Sequence, residues 1–336
     1  MENIFIILGF LLAAYSVIAN DAIQTLGTFL SSNRDKKWWV LWLFAGGILT
    51  ATMVYGWASY DGDVSYGRLV SISPELPSPF HWWYVLPPLV LVFLTRLGIP
   101  VSTTFLILSV FSIAGMEASS TTDIFLDFFD FSTKPGSMLK KSLIGYALAI
   151  TVGLIVYVAI TKFLEKKFID TEITKPNRKL WTALQWVSTG SLWSVWLIQD
   201  LANIYVYLPR QLEFWQLGAS LVVLLSILAY IFKSNGGEIQ KIVTAKTNTS
   251  DIRSATIIDF IYALILLFFK YYSAIPMSTT WVFVGLLAGR EIAINFLLNY
   301  PDKKKVFGIV FKDLAKVTAG LAVSILLVLI IHAITS

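Results

Sequence analysis

Apolar residues run along this chain in long stretches, at roughly 4–31, 38–57, 80–116 and 139–163, then at roughly 181–209, 212–232, 254–298 and 306–333. A helix crosses a bilayer in about 20 apolar residues, so stretches of that length predict single spans and the long double ones predict helical hairpins. The stretches form two sets that agree in order: a broken segment, a plain span, a long double segment and a plain span. Such repetition of hydropathy marks an internal duplication. It divides the chain into a first transmembrane repeat over residues 1–164, a linker over 165–180 and a second repeat over 181–336.

The polar stretches between these segments set their orientation. Residues 33–37 hold Arg34, Lys36 and Lys37 against Asp35, and 162–180 hold Lys162, Lys166, Lys167, Lys175, Arg178 and Lys179 against three acids. The stretches 234–253 and 301–305 are also rich in Lys and Arg. By contrast 58–80 (Asp61, Asp63, Arg68, Glu75) and 117–138 (Glu117, Asp123, Asp127, Asp130, Lys134) are acidic. Basic loops stay on the cytoplasmic side, which puts the acidic ones outside. Residues 80–116 then begin and end outside, and 254–298 begin and end inside, as hairpins from opposite faces. If 4–31 and 181–209 each cross once, each half crosses three times. An odd number inverts the second half relative to the first and leaves both termini outside. The expected fold is an all-α polytopic membrane protein of two inverted repeats, with broken helices and oppositely oriented re-entrant hairpins. The plasma (inner) membrane is the expected location. The first apolar stretch follows Glu2 rather than a basic start and has no small-residue cleavage site behind it, so it is expected to remain as a membrane segment.

Composition narrows the function classes. Of 336 residues, 56% are hydrophobic and 14% charged, whereas a soluble domain carries about 25% charged residues. Cysteine is absent and histidine occurs only at His81 and His332. Disulfides, thiolate chemistry, a histidine-built metal site and a serine–histidine hydrolase are thereby excluded. The net charge of +5 sits in loops, where it reports topology, and no nucleic-acid-binding signature accompanies it. Trp38, Trp39, Trp57, Trp82, Trp83, Tyr84, Tyr271 and Tyr272 cluster at segment ends, as an aromatic belt at the lipid headgroups.

Two polar motifs interrupt the apolar pattern, and each occurs twice. The first is "IANDAIQTLGT", with Asn20, Asp21 and Gln24, answered by "LIQDLANIYVYLP", with Gln199, Asp200 and Asn203. Each reads amide–Asp–x–x–amide. The second is "GIPVSTTFLILSVF" at 98–111, answered by "AIPMSTTWVFVGLL" at 274–287. Asp21 precedes Ser102 by 81 positions and Asp200 precedes Ser278 by 78. A carboxylate inside a membrane costs about 2.5–3.5 kcal/mol at mid-helix on insertion scales, so a repeated pair reads as functional.

Proline explains the second motif. Pro100 and Pro276 remove a backbone donor and disfavour helix just before them, so each hairpin breaks there and a new helix starts at Ser-Thr-Thr. The first N–H groups of that helix lack intrahelical partners and its dipole adds partial positive charge. Ser102, Thr103 and Thr104, with Ser278, Thr279 and Thr280, add hydroxyl donors. Two such helix starts, dipping from opposite faces, make a site for a small tetrahedral oxyanion near the bilayer middle. Gln24 and Asn203 are further candidates for contact with the anion. The carboxylates suit hard cations instead, so Asn20, Asp21, Gln199 and Asp200 are the candidate ligands of a coupling cation, with protons as the second option. Arg96 and Lys270 precede the two prolines. For Arg96, snorkelling to the interface and direct contact with the oxyanion are both open. Arg290 and Glu291 are expected to neutralise one another.

At these residues the sequence resembles the inorganic phosphate transporter (PiT) family of sodium- or proton-coupled phosphate symporters. That family carries a GANDVAN-type motif in each half and a PVSTTH-type motif after it, in inverted repeats with external termini. "ANDAIQTLGTFLSSN" at 19–33 is similar to the first signature, "QDLANIYVYLP" at 199–209 is a weaker version of it, and "PVSTT" and "PMSTT" match closely. The layout covers essentially the whole chain; the residue-level motifs cover about a tenth of it. The resemblance implies cation-coupled symport of inorganic phosphate, with sodium or a proton as coupling ion, no other cofactor and no enzymatic activity. The departures are Gln24 for the second amide of the motif, Gln199 for its leading Asn, and Phe105 and Trp281 for the His after Ser-Thr-Thr. They leave sulfate or another small oxyanion as the alternative substrate. An anion channel and an intramembrane enzyme are the competing classes. The chain shows no nucleophile with a base and no cofactor motif, and broken helices in hairpins favour alternating access over conduction. Besides the anion, membrane lipids are the expected partners, and a homodimer is compatible with the sequence.

Overall fold

The computed structural model describes residues 1–335 apart from 100, 114–119, 161–163, 165, 238, 245–249, 273–274 and 299–302. Pro100, Glu117, Lys162 and part of the 301–305 loop thus lie outside the described residues.

The first apolar stretch forms α1 (Glu2–Val17), a π-helical turn (Ile18–Ala22) and α2 (Ile23–Ser32). The sequence predicts a break there, but the three pieces run on as one 31-residue span, Glu2–Ser32. No proline or glycine lies between Ile18 and Leu26 to stop the helix, and it accommodates the polar motif by widening one turn instead, as functional helices often do. Next come α3 (Trp38–Ser59) and, after a long loop, a 3₁₀ turn (Trp82–Val85) leading into α4 (Leu86–Arg96). Gly98 turns the chain with φ of 66°, a left-handed conformation that glycine adopts without strain. Helix resumes at Thr103, through a π turn (Thr104–Leu108) into α5 (Ser109–Ile113). The half closes with α6 (Thr121–Asp127), α7 (Lys134–Ile160) and the short α8 (Lys166–Asp170).

The second half follows. Its elements are α9 (Lys175–Asp200), α10 (Ala202–Tyr205), α11 (Phe214–Lys233), α12 (Gln240–Thr244), α13 (Ile252–Tyr272), α14 (Thr279–Leu298) and α15 (Lys303–Thr335). Among the described residues all regular structure is helical, and seven helices are long and apolar enough to span a bilayer. The chain is an integral membrane protein of the all-α class. Helices satisfy every backbone group internally, which lipid demands. Phe93, Ile155, Val222 and Phe311 lie exposed on helix surfaces, where acyl chains solvate them. The α9 helix is long enough to cross, but Gln185, Ser188, Thr189, Gln199 and Asp200 are buried along it and it is not among the seven.

The two hairpins differ in size. With 11 residues, α4 reaches only about 16 Å at the rise of an α-helix. The 21 and 20 residues of α13 and α14 each reach about 30 Å, so the second hairpin has arms long enough to cross. Its arm α14 packs closely along α7 through Gly285, Gly289 and Gly153. A Cβ on Gly289 would sit 2.3 Å from the Ile150 carbonyl oxygen, and one on Gly153 would sit 2.8 Å from that of Leu286. Small residues four apart let membrane helices approach to backbone contact.

The spans α3 and α11 run antiparallel. Trp38, at the start of α3, lines one cavity with Lys233, at the end of α11. At the other end Trp57 Nε1 donates to Leu212 O at 2.7 Å and Leu212 N donates to Gly62 O at 3.0 Å.

Candidate functional site

The repeated motifs converge in the buried centre of the molecule. Helix starts at Thr103 and at Thr279, and the serine before each caps it. Ser102 Oγ accepts from Phe105 N at 3.2 Å, and Ser278 Oγ accepts from Trp281 N at 3.3 Å. The second tip is further fixed by Ser278 N, which donates to Ser142 Oγ at 2.9 Å. The two tips interlock reciprocally. Thr104 Oγ1 donates to Met277 O of the opposite tip at 3.2 Å, and Thr280 Oγ1 donates to Val101 O at 3.2 Å. Phe105 and Trp281 meet across the same join with ring centroids 6.0 Å apart.

The π turn carries Asp21 into this join. Its Oδ2 accepts from Thr103 Oγ1 at 2.5 Å and its Oδ1 lies 3.3 Å from Thr280 Oγ1, so one carboxylate is bonded to both tips. Asn20 Nδ2 donates to Val101 O at 2.8 Å and to Asp21 Oδ1 at 3.0 Å. Gln24 Nε2 reaches Asp21 Oδ1 at 3.3 Å. In the second half Asn203 Nδ2 donates to Asp200 Oδ1 at 2.9 Å and to Thr103 Oγ1 at 2.8 Å. Oδ2 of the Asp200 carboxylate has no hydrogen-bond partner. Gln199 Nε2 donates to Leu266 O at 2.9 Å. All of these side chains are at least nine-tenths buried.

The sequence reading separates anion-binding hydroxyls from cation-binding carboxylates. The structure fuses them, because Thr103 and Thr280 place their hydroxyls on Asp21. Ser102 and Ser278 each have a capping duty besides any contact with a ligand. Three buried acceptor oxygens, Gln24 Oε1, Asp200 Oδ2 and Asn203 Oδ1, have no protein partner. Buried acceptors of this kind are costly unless something donates to them or coordinates to them. An all-oxygen set suits a hard cation or a donor hydroxyl. Among the described residues no group of three or more His, Cys, Asp and Glu gathers as a metal site.

Arg96 is not part of this centre. It is exposed at the C-terminal end of α4, where a cation complements the helix dipole and can reach the interface; direct contact with a buried anion does not fit that position. Lys270 Nζ sits 5.3 Å from the Tyr271 ring centroid. Arg290 Nη1 pairs with Glu291 Oε1 at 3.1 Å, with both side chains buried.

Other polar groups near the centre are absent from the motif reading. Asp259, in α13, is 1% exposed and accepts from Thr28 Oγ1 at 2.5 Å and from the Thr189 hydroxyl. An aspartate inside "IIDFIYALILLFF" carries the same signal as Asp21, but without a partner in the other half the repeat comparison passes over it. Tyr262 OH donates to Thr279 O at 3.0 Å. Arg68 and Lys141 are also buried, outside the two repeated motifs. Along the π turn and α2, Asp21, Thr25, Thr28 and Ser32 form one buried polar row at helical spacing. The row ends near a cavity of about 530 Å³ lined by Ser31, Asn33, Arg34, Lys36, Lys233 and Gln240 among others.

No family model matches the sequence, and no curated protein matches it. Among solved structures, one described as "The sodium-dependent phosphate transporter" superposes with a TM-score of 0.58 over 99% of each chain, at 16% identity. This chain has that transporter's fold. The likeness in fold extends over essentially the whole chain.

Proposed function

We propose that the chain is a secondary active transporter that carries a small tetrahedral oxyanion, inorganic phosphate in the first place, together with a cation. The observation that carries this is the interlocking of two helix starts around Asp21. Helix starts offer N–H groups and partial positive charge to an anion. A carboxylate there would repel that anion unless a cation accompanies it, and coupled symport follows from this electrostatic need. Asn20 and Asp21 in the first half, and Gln199 and Asp200 in the second, mark where positive charge sits beside the anion. Sodium is the coupling ion we favour, in line with the transporter of the same fold, with a proton as the alternative.

Phosphate is favoured over sulfate by the unpartnered acceptors Gln24 Oε1, Asp200 Oδ2 and Asn203 Oδ1. Hydrogenphosphate can donate a hydrogen bond to such an oxygen, whereas sulfate cannot. We further read the two halves as inverted repeats with external termini in the plasma (inner) membrane. The polar row of α2 and its basic vestibule are then the cytoplasmic exit. Proteoliposomes loaded without substrate test the function. An inward sodium gradient should drive labelled phosphate above its equilibrium level, with sulfate far behind. Uptake of neither anion, or a flux that only equilibrates, defeats the proposal.

A further inference from the structure

Where α2 and α11 end, side chains from both halves of the chain line the cavity of about 530 Å³. Three of them are cations: Arg34 and Lys36, in the turn after α2, and Lys233, the last residue of α11. No acidic side chain among the described residues lines it. Asp35 pairs with Lys36 at 3.5 Å and with Arg178 at 3.6 Å. Arg34 and Lys233 have no hydrogen-bond or ion-pair partner among the described residues. Two ordinary reasons for cations at this face do not account for the arrangement. The positive-inside rule puts Lys and Arg on one side of a membrane, but it does not gather them around one hollow. A cation beyond a helix end complements the dipole by donating to the last carbonyls, and neither Arg34 nor Lys233 does so.

The walls are set by the protein itself. Asn33 Nδ2 donates to Gln185 Oε1 at 2.7 Å, and Trp186 Nε1 donates to Asn33 Oδ1 at 3.2 Å. Gln240 Nε2 donates to Gly27 O at 2.8 Å and to Ser31 Oγ at 2.7 Å. Asn235 and Gly236, with φ of 54° and 82°, close the end of α11 on which Lys233 stands, and their N–H groups return to Phe232 O at 3.1 Å and Ile231 O at 3.0 Å. We propose that this cavity is a second anion site that takes a phosphate group, from free inorganic phosphate or from the headgroup of an anionic phospholipid. It is separate from the centre: Ser31 follows Asp21 by ten positions, about 15 Å along a helix. A hollow lined by one sign of charge concentrates the opposite ion. The guanidinium offers a fork of donors and the two ammonium groups offer point charges, both of which suit phosphate oxygens. Basic pockets between membrane helices hold lipid phosphates on the same principle. Trp38, Leu41 and Phe232 give the cavity an apolar side, on which the first methylenes of a lipid can lie.

The chain has no cysteine, so Lys37→Cys can carry an environment-sensitive fluorophore at the rim, on an exposed residue between the lining residues Lys36 and Trp38. The labelled full chain, in detergent without sodium or added lipid, is titrated with four probes. These are inorganic phosphate, a short-chain phosphatidylglycerol, a short-chain zwitterionic phosphatidylcholine, and chloride at matched ionic strength. Phosphate, phosphatidylglycerol or both should give a saturable change, and the other two should give none. Saturation by inorganic phosphate identifies a site for the free anion; saturation by phosphatidylglycerol alone identifies a lipid site. In the same labelled background, Arg34→Gln with Lys233→Gln should weaken the response roughly tenfold or more, whereas Arg34→Lys with Lys233→Arg should keep it. Should the neutral pair fail to fold, Lys36→Gln alone must still weaken the response. The site is overturned by no saturable change with either anionic probe, by an equal change with phosphatidylcholine or chloride, or by a change that the neutral variants leave unaltered. The titration needs neither sodium nor a gradient, so failure of the symport reading leaves this site standing, and its own failure leaves that reading intact.

Discussion

At the residue scale, Thr103 is the busiest hydroxyl of the site. It donates to Asp21 at 2.5 Å and accepts from Asn203 at 2.8 Å, so it joins the carboxylate of one half to the amide of the other. Thr103→Val keeps the shape and strands both partners, which typically costs about 1–3 kcal/mol, or roughly tenfold to hundredfold in anion or cation affinity. Thr104 makes longer contacts, 3.2 Å to Met277 O and 3.4 Å from Asn203, so Thr104→Val should lose less. Titration of phosphate uptake against both ions checks the order, and a larger loss at Thr104 would sink the role given to Thr103. Ser102→Ala and Ser278→Ala act differently. Each removes a helix cap, so each should lower the melting temperature by an amount equivalent to about 1 kcal/mol. Capping is invisible in the motif "STT" itself, which reads as three equal donors until the backbone shows which one turns back on its own helix.

At the element scale, the position of the second tip depends on how α14 lies on α7. An added Cβ on Gly289 meets the Ile150 carbonyl oxygen at 2.3 Å, and backbone cannot give way as a flexible side chain can. Gly289→Ala should push α14 outward and carry Thr279 and Thr280 away from their partners. The expected result is a lower melting temperature in detergent and a marked loss of uptake. At Gly218 in α11 a Cβ meets nothing within 4 Å, so Gly218→Ala should be neutral or slightly stabilising. If Gly289→Ala behaves like Gly218→Ala, the close contact does not position the tip. The sequence shows the elements well where the physics is local. Apolar length predicts the spans, and Ser-Thr-Thr predicts where helix restarts. It misleads at "ANDAIQ", because polar residues in a membrane segment signal a break while the backbone absorbs them in a π turn. It is silent on α7 against α14, on Asp259 and on Arg68, since each depends on contacts between segments distant along the chain.

At the scale of the whole molecule, loop charge and packing agree on direction. The basic residues Arg34 and Lys36 share a cavity with Lys233, while the acidic 58–80 loop bonds to residues 210–212 at the other end of α3 and α11. The basic loops of the two halves therefore gather at one face, although they flank opposite ends of equivalent helices. That supports an inverted duplication. The proposed topology, which follows the positive-inside rule, makes the shared basic face cytoplasmic. Ser32 ends the first span near that face, so Met1 belongs at the opposite one. The chain contains no cysteine, which makes single substitutions clean reporters. Asn3, Lys36 and Ile334 are exposed. Asn3→Cys and Ile334→Cys should both react with a membrane-impermeant maleimide added to intact cells, and Lys36→Cys should react only after permeabilisation. Labelling of one terminus alone would mean an odd number of crossings over the whole chain, which two halves of three crossings each cannot give. Protection of both termini with labelling of Lys36→Cys would keep the duplication and reverse its orientation, placing the basic vestibule outside and refuting its assignment as the cytoplasmic exit.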